Sequence, residues 1–385
     1  MSRIKVLVIF GTRPEAIKMA PVVKALEKES DFFETRTLVT GQHREMLDQV
    51  LDIFGLHPDY DLDIMLRAQS ISDITRRVMD GTEEILKSFS PDILLVHGDT
   101  TTSFAAALTG FYHRIPIGHV EAGLRSYNRY SPFPEEMNRT LTGQLANLHF
   151  APTKGNEKNL INENIDRETI FVTGNTVIDA LLSVVDSKFD FQEPALREMD
   201  FSLERVILLT AHRRENFGPP MEKIFRAVRR IAEEYEDVRV VYPMHLNPGV
   251  RAIARGILGS SPRVHLIEPL EYLGFAHLMK QSFMILTDSG GIQEEAPALG
   301  KPVLVLREET ERPEAVAAGT VKVVGTEEEN VYAAVRNLLE NPSEVLGMTR
   351  AINPYGEGRS AQRIVSILKE HFKDLKKRGI EGGEK

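Results

Sequence analysis

Short apolar segments rich in β-branched residues alternate with longer amphipathic segments along most of the chain. The apolar segments cover residues 4–10, 35–40, 93–98, 115–120 and 169–173 in the first half, and residues 206–210, 238–242, 264–267, 283–287, 303–306 and 321–324 in the second. Continuous apolar runs are typical of parallel strands that helices cover on both faces. The pattern therefore predicts βα units around two parallel sheets.

A charged segment separates the two series of strands. Residues 177–203 are rich in acidic and basic side chains and show no clear strand pattern. We predict an α/β chain with two Rossmann-like, doubly wound parallel-sheet domains, residues 1–176 and 204–358, joined by a linker region at 177–203. Because ligands of such sheets bind beyond the carboxyl ends of the strands, the domains are predicted to face a cleft that holds the site.

The composition excludes several classes of function. The 47 Lys and Arg residues against 56 Asp and Glu give a net charge of −9, which argues against nucleic acid or anionic membranes as partners. The chain has no cysteine, which excludes thiolate nucleophiles and Cys-ligated metals and fits a reducing compartment. The first apolar run is too short for a signal peptide or a membrane span, so we expect a cytoplasmic protein.

Polar motifs follow most of the predicted strands. GTRPE begins at residue 11, HGDTTTS at 97, HVEAGLRS at 119, AHRREN at 211, MHLNP at 244, TDSGGIQEE at 287 and ERPE at 311. A single motif of this kind is explained by helix capping. Seven of them at the same predicted sheet edges indicate a ligand site.

The second half carries a predicted phosphate site. Ser289, Gly290 and Gly291 lie between a buried strand and a helix, where free backbone N–H groups and the helix dipole favour an anion. Glu294 and Glu295, one turn further, are placed to accept hydrogen bonds from ribose hydroxyls. The dinucleotide fingerprint GxGxxG is missing, since residues 11–16 read GTRPEA, and we therefore expect no nicotinamide or flavin cofactor. The cations predicted to meet a diphosphate are Arg13, Lys18, Arg213, Arg214 and Arg312.

Asp99, Glu121 and Glu135 are the candidates for acid–base chemistry at a sugar carbon, because inverting a carbon needs a proton carrier on each face of the ring. The alternatives are helix capping for Asp99 and Glu135, and an ion pair of Glu121 with Arg125 or Arg139.

His212 is placed to donate a hydrogen bond to a phosphate or leaving-group oxygen. Asp61 and Asp63 form a DxD pattern, but this spacing is common, and no HExxH or similar ligand spacing occurs. The sequence therefore predicts no required metal ion.

Eleven strings of the chain resemble one known family over about residues 3–370. They are FGTRPEAIKMAP, QHREMLDQVL, HGDTTTS, GHVEAGLRS, YSPFPEEMNR, FVTGNTVIDAL, AHRREN, YPMHLNP, LTDSGGIQEEAP, ERPEAV and NPYGEG. Together they are similar to the non-hydrolysing UDP-N-acetylglucosamine 2-epimerases. The resemblance implies a GT-B-like fold, a homodimer and a last helix, at about 359–375, that crosses back to the first domain.

The resemblance also implies a reaction and the residues that serve it. UDP is eliminated from UDP-N-acetylglucosamine to give 2-acetamidoglucal, and re-addition of UDP gives UDP-N-acetylmannosamine. Asp99, Glu121 and Glu135 match the family's acid–base carboxylates, and His212 its histidine near the leaving group. The substrate and UDP contacts fall on Arg13, Lys18, Arg139, Phe275, Ser289, Gly290, Gly291, Glu295 and Arg312.

Some members of the family have a second substrate site that activates them. Its contacts fall on Gln42, His43, Arg213 and His245, but Glu45 and Ala68 stand where those members have Gln and Arg. Losing that Arg removes a phosphate partner worth about 1.5–3 kcal/mol, which argues against activation here. A hydrolysing 2-epimerase, a GT-B glycosyltransferase that uses a UDP-sugar and a non-catalytic sensor remain as alternative functions.

Overall fold

The computed structural model describes residues 3–41, 44–66, 68–185 and 188–377, with only the backbone described for residues 44–46. The chain divides into two compact units. The first comprises Met1–Ala180 and Tyr355–Lys385, and the second comprises Leu181–Pro354.

The first unit is built on a seven-stranded parallel sheet with the order β3-β2-β1-β4-β5-β6-β7. Its strands are β1 (Ile4–Phe10), β2 (Phe33–Val39), β3 (Tyr60–Asp61), β4 (Ile93–His97), β5 (Ile117–Val120), β6 (Leu148–Ala151) and β7 (Ile170–Val172). Its helices are α1 (Arg13–Lys28), α2 (Arg44–Phe54), α3 (Ile71–Phe89), α4 (Thr101–Tyr112), α5 (Glu135–Leu145) and α6 (Lys154–Asn162). A short 3₁₀ turn, Arg167–Thr169, precedes β7.

The helix α7 (Thr176–Val185) follows β7, and the division between the units falls inside it. The range 177–203 is therefore helical at its start and contains a second short helix, α8 (Pro194–Arg197). Buried Ile178 and Leu181 show why α7 forms, since they lie on one face at the helical spacing of three residues.

The second unit is built on a six-stranded parallel sheet with the order β10-β9-β8-β11-β12-β13. Its strands are β8 (Arg205–Thr210), β9 (Val238–Pro243), β10 (Val264–Ile267), β11 (Met284–Thr287), β12 (Val303–Val305) and β13 (Val321–Val323). Its other helices are α9 (Pro219–Glu234), α10 (Pro248–Leu258), α11 (Tyr272–Gln281), α12 (Gly290–Ala298), α13 (Pro313–Ala317), α14 (Glu328–Glu340) and α15 (Pro342–Arg350). A 3₁₀ turn, Arg214–Asn216, precedes α9.

The prediction of an α/β chain with two parallel-sheet domains is confirmed. Each of the eleven apolar segments overlaps a strand. The central strands are buried as helix-covered parallel strands should be, whereas β7, β10 and β13 are partly exposed. The sequence pattern missed two strands, β3, which has only two residues, and β6, a four-residue strand that ends beside Pro152. In each unit the strand order reverses at the first strand, so that β1 and β4 are neighbours and β8 and β11 are neighbours.

The last helix, α16 (Ser360–Lys377), belongs to the first unit. Asp179 accepts hydrogen bonds at the helix start, from Ser360 N at 3.1 Å and from Ala361 N at 2.8 Å. A carboxylate at this position satisfies backbone donors that have no partner inside the helix. Asp179 therefore ties the start of α16 to α7. None of the helices in the described ranges is long and apolar enough to cross a membrane.

Gly123 has φ +88°, and a Cβ there would lie 2.3 Å from the backbone oxygen of Asn156. We expect Gly123→Ala to lower the free energy of unfolding by about 3 kcal/mol or more, since it adds a clash with backbone to an unfavourable φ. Gly55→Ala is the matched control, because Gly55 also has a positive φ, +57°, but open space around it; its expected cost is about 1–2 kcal/mol. Equal losses for the two variants in urea unfolding would contradict this account.

Candidate active site

Two carboxyl groups lie at the carboxyl ends of neighbouring strands in the first unit. His97 ends β4 and is paired with Val120, which ends β5. Asp99 follows β4 by two residues and Glu121 follows β5 directly, so the parallel register brings both to the same edge of the sheet. Glu121 has φ +63°, an unfavourable conformation for a residue with a side chain. Conformations of this kind cluster at functional sites.

Glu121 is held by three side chains from different elements. Lys18 of α1 donates a charged hydrogen bond to Glu121 Oε1, and Asn175 donates to the same oxygen at 3.0 Å. His97 Nε2 lies 3.6 Å from the other oxygen, Oε2. Burial works to raise the pKa of Glu121, but Lys18, His97 and Asn175 outweigh it and the pKa lies well below its usual range. Glu121 is therefore ionised at neutral pH.

His97 is buried, and its Nε2 has no hydrogen-bond partner among the described residues. Burial lowers the pKa of His97 to about 4 in spite of the nearby Glu121 carboxylate. The ring is therefore neutral at pH 7, and Lys18 supplies the positive charge that Glu121 needs. The pairing of Lys18 with Glu121 is not visible in the sequence, because the two residues are 103 positions apart.

Asp99 is held differently. The guanidinium of Arg139, a buried residue of α5, donates to Asp99 Oδ2, and Asn138 Nδ2 donates to the backbone oxygen of Asp99 at 3.0 Å. Burial raises the pKa of Asp99 to about 6, and the negative charge of Glu121 adds to the rise, although Arg139 and Lys18 oppose it. Asp99 and Glu121 are thus neighbouring carboxyl groups whose pKa values are shifted in opposite directions.

The raised pKa of Asp99 makes a prediction about stability. Between the ordinary pKa of 3.8 and the folded-state pKa of about 6, the folded chain binds more protons than the unfolded chain. Ionising Asp99 therefore costs stability as the pH rises through this window. We expect the free energy of unfolding of Asp99→Asn, relative to wild type, to increase by about 2–3 kcal/mol between pH 4 and pH 6 and then to level off.

Asp237→Asn provides a control of opposite sign. A hydrogen bond from Arg205 is the main reason why the pKa of Asp237 is lowered. The ionised Asp237 stabilises wild type above its ordinary pKa, and this stabilisation is lost as the pH falls. Asp237→Asn lacks it, so its stability relative to wild type falls as the pH rises. Urea unfolding at a series of pH values measures both. A difference curve for Asp99→Asn that is flat from pH 4 to pH 6 contradicts the raised pKa.

Glu135 and Glu136 begin α5 and have different surroundings. Glu136 is buried and accepts backbone hydrogen bonds from Ser126 at 3.0 Å and Tyr127 at 2.8 Å, so it fixes the loop that follows Glu121. Glu135 Oε2 is buried without a hydrogen-bond partner among the described residues. An unpaired buried carboxylate oxygen is costly and needs an explanation. Of the two, Glu135 is therefore the residue with a carboxylate oxygen that the described residues leave without a hydrogen bond.

Glu15 connects two strand-end turns of the first unit. Its Oε2 accepts hydrogen bonds from Gly11 N at 3.0 Å and Thr12 N at 2.8 Å, and its Oε1 accepts from Thr100 Oγ1 at 2.6 Å and Ser103 Oγ at 2.8 Å. The turn before α1, which carries Arg13, is thereby joined to the turn that carries Asp99. In the sequence Glu15 stands out only as the last residue of the GTRPE motif.

A buried aspartate organises the strand ends of the second unit. Asp288 follows β11 and is completely buried. Its Oδ2 accepts hydrogen bonds from the backbone N–H groups of His212 and Arg213, both at 2.8 Å, and from Asn216 Nδ2 at 3.2 Å. Its Oδ1 lies 3.2 Å from His212 Nδ1. One carboxylate thus fixes the backbone and faces the ring of His212.

Two guanidinium groups converge on the amino end of α12. Ser289 occupies the N-cap and Gly290 begins the helix. A Cβ at Gly290 would lie 3.5 Å from Nη2 of Arg312 and 3.9 Å from Nη2 of Arg213. Arg312 also forms an ion pair with buried Glu294. The free N–H groups of the helix end and two cations together form a site suited to a diphosphate.

A pocket of about 330 Å³ adjoins this helix end. His212, His245 and Phe275 are among the residues that line it, with Met244, Leu270 and Ile292 as its apolar wall. The rings of His212 and His245 stack with centroids 5.7 Å apart. The structure therefore brings Phe275 together with His212 and His245 in one unit. A flat ring bound in this pocket would contact mostly apolar and aromatic side chains.

Other predicted residues fall as follows. Arg13 is the first residue of α1 and is partly exposed. Glu295 lies in α12, with Oε1 3.4 Å from the position of a Cβ at Gly291. Gln42 and His43 lie outside the described residues. Ala68 is exposed with φ +57°. Arg125, considered above as a partner for Glu121, pairs with Glu163 instead.

Comparisons with known proteins identify the family. A family model described as UDP-N-acetylglucosamine 2-epimerase matches residues 24–369. The chain belongs to the UDP-N-acetylglucosamine 2-epimerase family. One relative in this family, the UDP-N-acetylglucosamine 2-epimerase of Bacillus subtilis strain 168, is 55% identical over 372 residues, which are 97% of this chain and 97% of the relative.

Solved structures of the epimerase family agree with the fold. The UDP-GlcNAc 2-epimerase of Neisseria meningitidis bound to UDP-GlcNAc has a TM-score of 0.84 and 51% identity, covering 95% of this chain and 100% of the other. The enzyme of Methanocaldococcus jannaschii in complex with UDP-GlcNAc and UDP has a TM-score of 0.74 and 35% identity, covering 95% and 100%. Enzymes of this family are isomerases.

Proposed function

We propose that the protein interconverts UDP-N-acetylglucosamine and UDP-N-acetylmannosamine by inverting C2, without releasing the free sugar. The observation that carries the proposal is the pair Asp99 and Glu121, two adjacent carboxyl groups at the ends of β4 and β5 with pKa values shifted apart. Such a pair provides one proton donor and one proton acceptor at the same pH. Membership of the epimerase family supplies the substrate.

The chemistry explains why the sugar must lose UDP during the reaction. The C2 proton is not next to a carbonyl group, so its removal alone gives no stabilised carbanion. In the elimination, the C2–H electron pair forms the C1=C2 double bond, and the electron pair of the C1–O bond leaves with the β-phosphate of UDP. The proton passes to a base on the protein, and the product is 2-acetamidoglucal. Re-addition of UDP to C1, with protonation of C2 on the other face, gives the epimer.

The first unit supplies the proton carriers in this proposal. Glu121 is ionised at neutral pH, and its Oε2 is the oxygen not occupied by Lys18 and Asn175, which favours it as the base. Asp99, with a pKa near 6, holds a proton more readily and is favoured as the donor. The two exchange roles in the reverse direction. Glu135 is the third acid–base group of the proposal.

The second unit holds the UDP moiety in this proposal. The amino end of α12, with Arg213 and Arg312, binds the diphosphate and stabilises the charge that develops as the C1–O bond breaks. Phe275 and the pocket of about 330 Å³ accommodate the uracil. His212 donates a hydrogen bond to the leaving phosphate oxygen. Arg13 and Arg139 contact the substrate, and Ser289, Gly290, Gly291 and Glu295 contact UDP.

One experiment tests the proposal. The purified protein is incubated with UDP-N-acetylglucosamine in D2O, without added nicotinamide cofactor and with a metal chelator, and the mixture is followed by NMR. We expect UDP-N-acetylmannosamine that carries deuterium at C2. Free N-acetylmannosamine as the main product would show a hydrolysing enzyme. A lack of C2 exchange would refute the proposed reaction, and a Gly55→Ala preparation serves as a matched control for the effects of handling.

We further propose that the protein is a homodimer, as the family resemblance implies, and that it works in the cytoplasm, which its lack of cysteine fits. Phe111 and Tyr112, at the end of α4, are 55% and 65% exposed, which is consistent with a surface that another chain covers. Light scattering during size exclusion measures the mass directly. A mass of one 43.3 kDa chain at micromolar concentration would contradict the dimer.

A further inference from the structure

Asp288 is a buried charged group with no established part in the proposed reaction. It is completely buried, yet no lysine or arginine side chain forms an ion pair with it among the described residues. A buried carboxylate without a cation is costly unless hydrogen bonds satisfy it. Three donors satisfy Oδ2, whereas Oδ1 faces only His212 Nδ1, at 3.2 Å, in a geometry that falls short of a hydrogen bond.

We propose that Asp288 is a positioning residue that makes His212 a cationic hydrogen-bond donor toward the leaving diphosphate. With UDP bound, Asp288 Oδ1 accepts the Nδ1 proton, and Nε2 of the 38% exposed ring is left for the ligand. Asp288 Oδ2 holds the backbone of His212 and Arg213, so the ring and the neighbouring guanidinium keep their places together. The inference rests on the proposed function, since it concerns departure of UDP.

The groups around His212 show why such a residue is needed. Burial lowers the pKa of His212, and Arg213 and His245 act in the same direction; among the described residues Asp288 is the charged group near the ring that opposes them. Arg312 lies close by at Gly290, paired with Glu294. In the absence of Asp288 every nearby influence would keep the ring neutral. The diphosphate adds further negative charge beside Nε2, and Asp288 then completes an arrangement in which the imidazolium lies between two anions.

The bonds involved balance without another reactant. As the C1–O bond breaks, its electron pair moves onto the β-phosphate oxygen. The imidazolium stabilises this charge through an Nε2–H hydrogen bond, and the ring keeps both protons. When UDP adds back to C1, the oxygen gives up the electron pair and the hydrogen bond weakens. His212 therefore needs no net proton transfer, and Asp288 needs no change in protonation.

The test uses Asp288→Asn in the full chain. The amide keeps one oxygen to accept the backbone hydrogen bonds of His212 and Arg213, but it turns an NH₂ group toward Nδ1. This forces the neutral tautomer that is protonated at Nε2 and removes the negative charge. We expect kcat to fall by about 100-fold or more, and the pKa of His212 in the UDP complex to fall by about one unit or more.

The pKa and tautomer of His212 are measured by ¹⁵N NMR of histidine-labelled protein with UDP bound, which requires no turnover. Asp237→Asn, the same change at an exposed site of the same unit, is the control and should alter neither value. A second experiment measures how much Asp288→Asn lowers kcat when it is introduced into wild type and when it is introduced into the His212→Asn variant. If Asp288 acts through His212, the added loss in kcat in the His212→Asn background is less than about threefold.

The outcomes separate the two proposals. An unchanged His212 pKa in Asp288→Asn, or a full additional loss in the His212→Asn background, overturns the positioning role even when epimerisation occurs. If Asp288→Asn does not fold, the ¹⁵N NMR of wild type with UDP bound tests the positioning role by itself. A neutral His212 that is protonated only at Nε2 overturns that role. A third outcome is that His212 is cationic and depends on Asp288, but the protein shows no C2 exchange in D2O. This result refutes the proposed reaction and leaves the positioning role in place.

Discussion

Glu121→Gln is expected to lower the rate of C2 proton exchange by about 100- to 10,000-fold while UDP still binds. The amide has the size of the carboxylate and still accepts a hydrogen bond from Lys18, but it cannot accept the C2 proton. UDP binding is expected to persist, because Ser289, Arg213 and Arg312 supply the proposed diphosphate site. Deuterium incorporation measured by NMR gives the rate, and calorimetry with UDP gives the affinity.

Glu163→Gln is a suitable control for this prediction. Glu163 is also a carboxylate of the first unit with a cationic partner, Arg125, but it lies at the end of α6 and has no proposed role in proton transfer. Exchange in this variant should stay within about threefold of wild type. If Glu121→Gln retains near wild-type exchange, the assignment of Glu121 as a proton carrier is wrong.

Lys18→Met is expected to lower the free energy of unfolding by about 3–5 kcal/mol at neutral pH, because it leaves a largely buried carboxylate without its cation. The side chains of Lys18 and Glu121 are 21% and 13% exposed. In wild type, the lowered pKa of Glu121 means that its contribution to stability is present above the ordinary pKa and is lost as the pH falls. In Lys18→Met burial raises that pKa instead, so the deficit shrinks as Glu121 becomes protonated at lower pH.

A double variant separates the lost ion pair from lost packing. Adding Glu121→Gln to Lys18→Met removes the unpaired charge, and we expect it to restore about half or more of the lost stability. Urea unfolding of the four proteins at pH 5 and pH 8 completes the cycle. Two results together would mean that lost packing alone explains the loss: Lys18→Met lowers the free energy of unfolding equally at both pH values, and the double variant restores none of it.

Patterns along the chain predicted the sheets well, because each core strand of a parallel sheet is apolar on both faces and therefore visible without its neighbours. β1 is fully covered apart from Lys5, and its prediction from residues 4–10 matches its observed bounds. Strand ends were equally informative, since the turns after them are where polar residues interrupt the apolar runs. Asp99 and Glu121 emerged as candidates for that reason.

Partnerships across the sequence were not predictable in the same way. Lys18 was expected to meet a diphosphate; the structure shows it paired with Glu121, a contact that depends on how α1 packs against β1, β2 and β4. Asn175 was part of a recognised string but had no assigned role, and it proves to hold Glu121 Oε1. Asp288 was seen only as part of a turn. Its contacts with His212 span 76 positions and appear once β8 and β11 lie side by side.

The connectivity of the first unit has a consequence for synthesis on the ribosome. Its sheet is complete after β7, but α16, which packs on α1 with Ile364, Leu368 and Phe372 buried, comes after the whole second unit in the sequence. All of the second unit, residues 181–354, is therefore translated while the apolar surface on α1 lacks its cover. The second unit can complete its fold during translation, whereas the first must wait for the C-terminal helix to leave the exit tunnel.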